Sequence, residues 1–373
     1  MSMKKVTALF CALCLILTLA ACGNSGSGDS TGGDSTGGDT SGGDTSGGDT
    51  SGGDSSGGNA ADYTSIDIIL AHGCTETTAE HASFQLFEQL VEERSGGAVN
   101  VDIYPNQQLG GDREYTEAAV QGNVTMGGPS TSNMASFVPA LNAFDAPFVF
   151  SDYETVYKAL DSDAGQALLD SLEVAGLKGL GYFENGFRNL TINGEVNHLS
   201  DLKGLKIRTM ENEVHLAIWQ ALGANPGPLA FGELYTALQQ KSFDAQENPL
   251  EQIYNNKFWE VQDHVYLTQH VYTPYIIYMN LDAWNGLNEA TQELIQQCID
   301  EAVEHNRALC AENNLKCTDG INNSGKSQVY PVSEELLQEM IDACNQAGIY
   351  DTVIEKTGGT YAQDFFAAAG FSY

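Results

Sequence analysis

"SIDIILAHG" (Ser65–Gly73) is the stretch that decides the fold class, because it opens a regular alternation of strands and helices. Apolar residues alternate along it, which is typical of a β-strand. Helically spaced apolar residues then run from Ala79 to Arg94, and Gly96 ends the helix. The next segments are a strand (98–105), a helix (112–122) and a strand running into a loop (123–130). This β-α-β-α-β order predicts a parallel sheet with helices on its faces and ligands beyond the carboxyl ends of its strands.

A second series of elements begins near residue 179. It comprises strands at 179–186, 189–193, 205–209 and 243–249, helices at 212–223 and 233–240, a long strand at 271–280, a long helix at 289–314 and a helical C-terminal part. About 310 residues follow the N-terminal segments, which is more than one core usually serves. We therefore expect an α/β clam-shell with parallel or mixed sheets and a cleft between two lobes. Lobe 1 is predicted to hold 62–185 plus 274–313, and lobe 2 to hold 186–273 plus 314–373.

The first residues of the chain are typical of a secretory signal rather than of a fold. Lys4 and Lys5 precede an apolar run that ends at Ala21, and this run is shorter than the roughly 18–20 residues of a membrane-spanning helix. Cys22 directly follows Leu-Ala-Ala, a pattern that resembles a bacterial lipobox. We predict a signal peptide over 1–21 and a lipid-modified Cys22, which would anchor the protein at the extracytoplasmic face of the cell membrane. A plain cleaved signal is the alternative.

A Gly/Ser/Thr/Asp-rich repeat separates Cys22 from the folded part. Such residues cannot bury apolar surface, so we expect 22–61 to be a solvated tether. The full chain carries a formal net charge of −34, which argues against nucleic acid or anionic lipid surfaces as partners.

Five cysteines follow the anchor position, namely Cys74, Cys298, Cys310, Cys317 and Cys344. The number is odd and no C-x-x-C pair occurs, so neither a zinc site nor a disulfide framework is indicated. We expect small buried residues with at most one bridge.

The stretch "LKGLKIRTMEN" (Leu202–Asn212) raises a question about charge. It contains Lys203, Lys206 and Arg208 in a chain with only 16 Lys+Arg against 50 Asp+Glu. The two lysines are expected to be solvated, but Arg208 lies inside a predicted strand, where a charged side chain needs a partner. That partner is either one of the many acids of the chain or an anionic ligand.

Six collinear blocks resemble the substrate-binding proteins of TRAP transporters, of the dicarboxylate-binding, DctP type. They are "PNQQLGGDRE", "APFVFSD", "GFRNLTIN", "DLKGLKIRTMEN", "ALGANPGPLAFGELYTALQQ" and "DAQENPL". The resemblance runs from about Ile66 to Asn280 and more loosely to the C-terminus. It implies a periplasmic-binding-protein fold, capture of an organic acid outside the cell, and delivery of that acid to a sodium-coupled membrane permease.

The resemblance also implies a set of ligand-binding residues. Its hallmark is an Arg in the "KIR" strand, here Arg208, whose parallel N–H donors match the two oxygens of a carboxylate. Arg188 in "GFRN" matches a second cationic position, with a structural ion pair as its alternative role. Asn248 in "QENP" matches an amide aimed at the acid, and Phe231 an aromatic that covers it or belongs to the core. Residues in the region of the ligand or its water network are His72, Ser130, Glu211 and His270.

Two positions depart from the pattern of the resembled family, because Lys241 and Ala245 stand where Gly is usual. Lys241 falls at a helix C-terminus that favours Gly, so we expect this turn to be built differently. Ala245 adds a methyl group near Asn248. Both positions leave the identity of the acid open among hydroxy and keto acids, sugar acids and dicarboxylates.

Three other functions compete with this one. An enzyme is disfavoured because the folded part has no G-x-S-x-G or H-E-x-x-H motif and its histidines show no convincing metal-ligand spacing, so no catalytic residue, metal or cofactor is predicted. A sensory protein that feeds a signalling receptor would differ in lacking permease genes beside its own. A binding protein of another transporter class, such as one for amino acids, would need a carboxylate for the ammonium group, and the blocks nominate none.

Overall fold

The computed structural model describes residues 62–372. The predicted signal peptide (1–21), the lipidated Cys22 and its tether (22–61) lie outside the described residues. Within the described range, no helix combines the length and the apolar character needed to cross a membrane.

The described chain alternates strands and helices throughout. The strands are β1 (Ile66–Ala71), β2 (Val99–Tyr104), β3 (Met126–Gly127), β4 (Leu177–Phe183), β5 (Asn189–Ile192), β6 (Lys206–Thr209), β7 (Asn225–Pro228), β8 (Ala245–Asn248), β9 (His264–Leu267), β10 (Tyr275–Asn280) and β11 (Gln328–Pro331). The α-helices are α1 (Ala79–Ser95), α2 (Asp112–Val120), α3 (Thr131–Met134), α4 (Tyr153–Leu160), α5 (Asp163–Asp170), α6 (Glu213–Ala221), α7 (Leu234–Gln239), α8 (Leu250–Asn255), α9 (Leu281–Asn285), α10 (Glu289–Asn323), α11 (Glu334–Gln346), α12 (Ile349–Thr357) and α13 (Tyr361–Ala368).

The strands form two sheets. The first has the order β2-β1-β3-β10-β4, in which β1 runs parallel to β2 and β3 while β10 runs antiparallel to β3 and β4. The second has the order β11-β9-β5-β8-β6-β7, in which β6 is parallel to β7 and β8, and β5 is antiparallel to β8 and β9. The predicted α/β fold with mixed sheets is confirmed.

Local signals place α1 as the sequence predicts. The Thr78 side chain accepts a hydrogen bond from the His81 N–H at the first turn, which satisfies one of the free donors of the helix start. Phe84, Phe87 and Val91 are spaced along one face and are buried against the first sheet and α10. Gly96 ends the helix in the left-handed conformation with φ 62°, which a residue without Cβ adopts at little cost.

Three connections join the two sheets. The chain leaves the first sheet through residues 184–188, returns to it through residues 268–274, and crosses again along α10, which is 35 residues long. The first two segments run antiparallel to each other and form a bridge between Phe187 and Tyr272. The Arg188 N–H also donates to the Val271 carbonyl at 2.8 Å. These connections place Arg188 where the two sheets meet.

The core is divided among these layers. One apolar cluster joins the first sheet to α1 and α10, and a smaller one joins the second sheet to α7, α8 and the end of α10. The largest cluster includes α12 and α13, which pack against the 3-10 helix Pro139–Asp145 and α5. The C-terminal helices that we assigned to lobe 2 therefore contact segments that we assigned to lobe 1, and the lobe boundaries stay a prediction.

Several element boundaries differ from the prediction. Strands β7, β9 and β11 were not predicted, the strand expected at 271–280 begins at Tyr275, and α10 extends to Asn323. The sequence does not predict these short strands, because they form by pairing with strands distant in sequence rather than from a local apolar pattern. Pro274 has no N–H for a sheet ladder, which agrees with the later start of β10.

The turn after α7 corrects a second expectation. Lys241 adopts the left-handed conformation with φ 57°, the conformation that Gly would adopt there. The Lys241 N–H donates to Leu238 O at 3.0 Å and the Ser242 N–H to Ala237 O at 2.9 Å, which is the usual bonding of a helix C-terminus. The turn is therefore not rebuilt, and Lys241 bears the steric strain of a side chain at positive φ.

Glu184 lies in the first connection between the sheets, and its ionisation should make the stability of the protein depend on pH. It is 3% exposed, its Oε2 accepts a hydrogen bond from the Tyr272 hydroxyl at 3.0 Å, and its Oε1 has no partner within the described residues. Burial raises the pKa of Glu184 from 4.5 to about 7, although hydrogen bonds from Tyr272 and Tyr157 oppose the shift. Between these two values the unfolded chain ionises while the folded protein does not, so the folded state loses stability as the pH rises through this window.

Glu184→Gln should therefore flatten the pH dependence of stability. We expect the variant to gain ~2–3 kcal/mol over the wild type between pH 4.5 and pH 8 in urea unfolding, since each pKa unit corresponds to 1.36 kcal/mol. Glu293→Gln, at an exposed position of α10, is the matched control and should follow the wild-type profile. Parallel pH profiles of Glu184→Gln and wild type would contradict the prediction.

Candidate ligand-binding site

A cavity that is partly open to solvent, with an empty volume of about 430 Å³ including that open space, lies where residues from both sheets and their connection meet. The side of the first sheet contributes Gly73, Cys74, Gln107, Asp112, Ser130, Asn133 and Tyr275. The connection and the side of the second sheet contribute Asn185, Arg188, Arg208, Met210, Phe231, Asn248 and Gln252. A second cavity adjoins it and shares Gln107, Asp112, Asn133, Arg208 and Phe231.

Arg208 is a buried cation with a free donor in this cavity. It lies in β6 and is only 2% exposed. Its Nε and Nη2 donate to the Leu229 carbonyl at 2.9 and 2.7 Å, whereas Nη1 is buried without a hydrogen-bond partner in the described part of the chain. Arg208 therefore presents one oriented N–H edge to the cavity.

Arg208 also makes no ion pair with any acid among the described residues, which rejects the alternative that one of the many carboxylates of the chain holds it. Burial, followed by the nearby charge of Arg188, lowers the pKa of Arg208 to about 10. The residue remains charged at neutral pH. A buried charge with an unmade hydrogen bond raises the free energy of the folded protein. An anion bound to Nη1 would lower that free energy.

Arg188 lines the same cavity but is charge-paired. Its Nε and Nη2 contact the two carboxylate oxygens of Glu247, and Nη2 also donates to Asn248 Oδ1 at 3.2 Å. Glu247 in turn accepts from His270 Nε2 at 3.1 Å. Burial alone would raise the pKa of Glu247, but Arg188 and two histidines hold it well below its usual range. The ion pair that the sequence left open for Arg188 is present, and Arg188 lines the cavity as well.

Three further predicted residues reach the cavity. Asn248 donates to Gln246 through Nδ2 at 2.5 Å and points its amide at Arg188. Phe231 is half-buried, with its ring centroid 6.0 Å from the guanidinium carbon of Arg208. Ser130 lines the opposite wall.

The remaining three predicted residues lie elsewhere. His72 is fully buried behind the wall, its Nε2 lies 3.1 Å from His81 Nδ1, and burial lowers its pKa to about 3. His270 is buried behind Glu247, which it orients. Glu211 is exposed and lines the adjoining cavity, beside Arg208. The prediction that His72 lies in the region of the ligand is therefore wrong for the cavity lining, which includes its neighbours Gly73 and Cys74 but not His72.

Asp112 is a cavity residue that the sequence reasoning did not select. It is the first residue of α2, and it accepts hydrogen bonds from Ser130 N at 3.1 Å, Asn133 Nδ2 at 2.8 Å and the Tyr115 hydroxyl at 3.0 Å. Burial raises its pKa. The sequence signal that could have identified Asp112 is its position in the "PNQQLGGDRE" block, which resembles the family. Gly73 makes room for it, because a Cβ on that residue would lie 2.9 Å from Asp112 Oδ1.

Asn185 is a second such residue, with no signal in the sequence beyond its neighbour Gly186. It is 6% exposed, it lines the cavity, and its Oδ1 is buried without a hydrogen-bond partner in the described residues. Cys74 also lines the cavity, with its Sγ 2.8 Å from the Tyr275 hydroxyl. All five cysteines of the described range are free and buried, which agrees with the expectation of buried residues with at most one bridge.

One stretch outside the cavity, "GINNSGKS" (Gly320–Ser327), matches the pattern of a phosphate-binding loop. That loop requires a strand before it and a helix after it, so that N–H groups at the helix start face the phosphate. Here the stretch begins inside α10 and is followed by β11. Because the order of the elements is reversed, this match indicates no phosphate site.

Comparisons with known proteins identify the family of this chain. The family model for bacterial extracellular solute-binding proteins of family 7 (DctP) matches residues 70–356. The 2,3-diketo-L-gulonate-binding periplasmic protein YiaO of Escherichia coli is 35% identical over 252 residues, which is 67% of this chain and 77% of that protein.

Solved structures show the same fold. The sugar acid binding protein of Advenella mimigardefordensis, in complex with galactonate, superposes with a TM-score of 0.79 at 31% identity, covering 83% of this chain and 99% of that one. A TRAP periplasmic solute binding protein of Shewanella oneidensis, with bound succinate, gives a TM-score of 0.78 at 31% identity, covering 82% of this chain and 100% of that one. The chain therefore belongs to family 7 of the bacterial extracellular solute-binding proteins, the DctP-type solute-binding proteins of TRAP transporters.

Proposed function

We propose that this protein captures the carboxylate of an organic acid through Arg208, closes its two lobes around the acid, and delivers it to the membrane permease subunits of a TRAP transporter. It works at the extracytoplasmic face of the cell membrane, anchored by a lipid on Cys22. It uses no cofactor and leaves the acid chemically unchanged.

The observation that carries this proposal is the free Nη1 of Arg208, a buried cationic donor without a partner in the described chain. A carboxylate is the ligand whose geometry and charge fit such an edge. The relatives support the choice, since 2,3-diketo-L-gulonate, galactonate and succinate, for which they are named or with which they were solved, are all organic acids. Asn248 would complete the contact with an amide, and Phe231 would cover the ligand.

Closure follows from the two-sided lining of the cavity. An acid bound to Arg208 on one side can reach Ser130 and Asp112 on the other, and contacts with both sides at once favour the closed state. Shifting a 1:99 equilibrium to 99:1 needs about 5.5 kcal/mol of differential binding. A desolvated Arg–carboxylate contact, aromatic cover and several polar contacts are of that order together. The permease can then distinguish loaded from empty protein by shape.

A thermal-shift screen of organic acids, each beside a neutral polyol of similar size, tests the proposal. A ligand at 100 times its Kd should stabilise the protein by about 2.7 kcal/mol. We expect acids but not polyols to raise the Tm, and the best acid to reduce the radius of gyration in small-angle X-ray scattering. No shift with any acid would contradict the function, and an unchanged radius at saturation would contradict closure alone.

The anchor is tested separately by Cys22→Ser. Removing the lipidated thiol should release the protein from the membrane fraction, because two acyl chains give stable attachment and the described residues contain no helix able to cross the membrane. Acid binding should be unchanged, since the described residues that line the cavity are all far from Cys22 in sequence. Cys14→Ser, within the signal peptide, is the matched control and should leave membrane attachment intact. Continued membrane association of Cys22→Ser would contradict the lipid anchor.

A further inference from the structure

The cavity contains one cation that forms no ion pair within the described residues. Among the described residues that line it, Arg188 and Arg208 are the positively charged side chains, and Glu247 already neutralises Arg188. The next arginine, Arg113, lines the adjoining cavity, is 59% exposed, and pairs with Glu117 at 3.0 Å. One carboxylate can therefore be matched by a cation inside the cavity, and a second cannot.

Asp112 makes the binding of a second ligand carboxylate unfavourable. It lines the cavity opposite Arg208, and its three hydrogen bonds leave acceptor capacity, since a carboxylate offers about four lone-pair sites. Another carboxylate beside it would meet like charge in a desolvated space. A hydroxyl beside it would instead donate a hydrogen bond.

Asn185 points to the same chemistry independently. Its buried Oδ1 accepts no hydrogen bond from the described chain, so a ligand that fills the cavity must bring a donor to avoid leaving it unpaired. An ionised carboxylate has no donor to offer, whereas a hydroxyl has one. The cavity thus presents a free donor on Arg208 and a free acceptor on Asn185.

We propose that the cavity selects a hydroxylated monocarboxylate over a dicarboxylate of the same length, with Arg208 binding the carboxylate and Asp112 and Asn185 accepting hydrogen bonds from ligand hydroxyls. This inference rests on the proposed capture of an acid by Arg208. It adds specificity-determining residues to the lining of the same cavity.

Calorimetry with matched probes tests this choice. The four-carbon probes are D-erythronate, succinate and 4-aminobutyrate, and the six-carbon probes are D-galactonate and adipate. We expect the hydroxy acid to bind at least tenfold more tightly than the dicarboxylate at one or both lengths, in line with the cost of leaving buried polar groups unpaired. Equal or tighter dicarboxylate binding at both lengths, or tightest binding of 4-aminobutyrate, would overturn the inference and leave acid capture intact. Absence of binding by every probe would overturn the proposed function as well.

Variants separate specificity from structure. Asp112→Asn removes the like charge without changing shape, so the preference for the hydroxy acid should fall about tenfold. Asn185→Leu should weaken the hydroxy acid about 10- to 100-fold and the dicarboxylate much less. Asp102→Asn, at an exposed position of β2, is the matched charge control. An equal loss for both acids in the isosteric Asp112→Asn would indicate a purely structural role and overturn the assignment.

Discussion

Replacing Arg208 by lysine is expected to weaken acid binding by at least about 100-fold, which corresponds to ~3 kcal/mol. The guanidinium spends Nε and Nη2 on the Leu229 carbonyl and keeps Nη1 for the ligand. A lysine ammonium is a point charge at the end of a flexible stem, and it cannot hold Leu229 while also presenting an oriented edge. Calorimetry with the best acid from the screen measures the loss.

The fold of this variant should remain intact, because Arg208 stabilises little in the ligand-free protein. Lysine keeps the positive charge, and because Arg208 forms no ion pair in the described chain, the substitution strands no opposite charge. Lys206→Ala is the matched control, since Lys206 lies two residues earlier on β6 and is exposed. Unchanged affinity in Arg208→Lys, or a comparable loss in Lys206→Ala, would refute the role of Arg208.

Replacing Glu247 by glutamine is expected to lower the free energy of unfolding by about 3–5 kcal/mol, the usual cost of removing one partner of a buried ion pair. Arg188 and Glu247 are 1% and 0% exposed, so the stranded guanidinium would have no water to replace its partner. Arg208 stands near it with a second positive charge. His270 would lose the acceptor that fixes its Nε2. Urea unfolding at neutral pH measures the change.

The pH dependence of this contribution has a definite sign. Because the pKa of Glu247 is depressed in the folded protein, the stability it supplies is present above its ordinary value of 4.5 and is lost as the pH falls through the folded value. Glu247→Gln should therefore differ most from the wild type at neutral pH and converge with it in acid.

Two comparisons decide whether the buried pair is responsible. Glu301→Gln breaks the exposed ion pair with Arg94, whose contact is 2.6 Å, and should cost less than about 1 kcal/mol because water screens that pair. The double variant Arg188→Leu/Glu247→Leu removes both charges and should recover most of the loss. A Glu247→Gln variant as stable as Glu301→Gln would contradict the account of Arg188 as charge-neutralised.

Local signals were enough to predict the class of fold and to select Arg208 as a candidate site residue. The cap at Thr78, the spacing of Phe84, Phe87 and Val91, and the stop at Gly96 all act within a few residues, so α1 could be placed to within one residue. Arg208 was selectable because a cation inside a strand is conspicuous in a chain with few cations. The resemblance of the six blocks to the family then implied that Arg208 binds a carboxylate.

The tertiary structure decided which charges are already satisfied. Arg188 and Arg208 look alike in sequence, yet one faces Glu247, 59 residues away, and the other has a free Nη1. No short-range pattern distinguishes these cases, because a buried ion pair forms between groups brought together only by the finished sheet.

The α/β architecture, the strand that carries Arg208 and the family can be inferred from the sequence alone, because caps, periodicity and collinear blocks each involve neighbouring residues. Only the tertiary structure decided that His72 and His270 lie behind the cavity wall while Asp112 and Asn185 line it. The physical reason is that hydrogen-bond satisfaction is a property of the folded surroundings. A side chain becomes part of a binding site when the packed protein leaves one of its polar atoms without a partner, and that depends on contacts from across the whole fold.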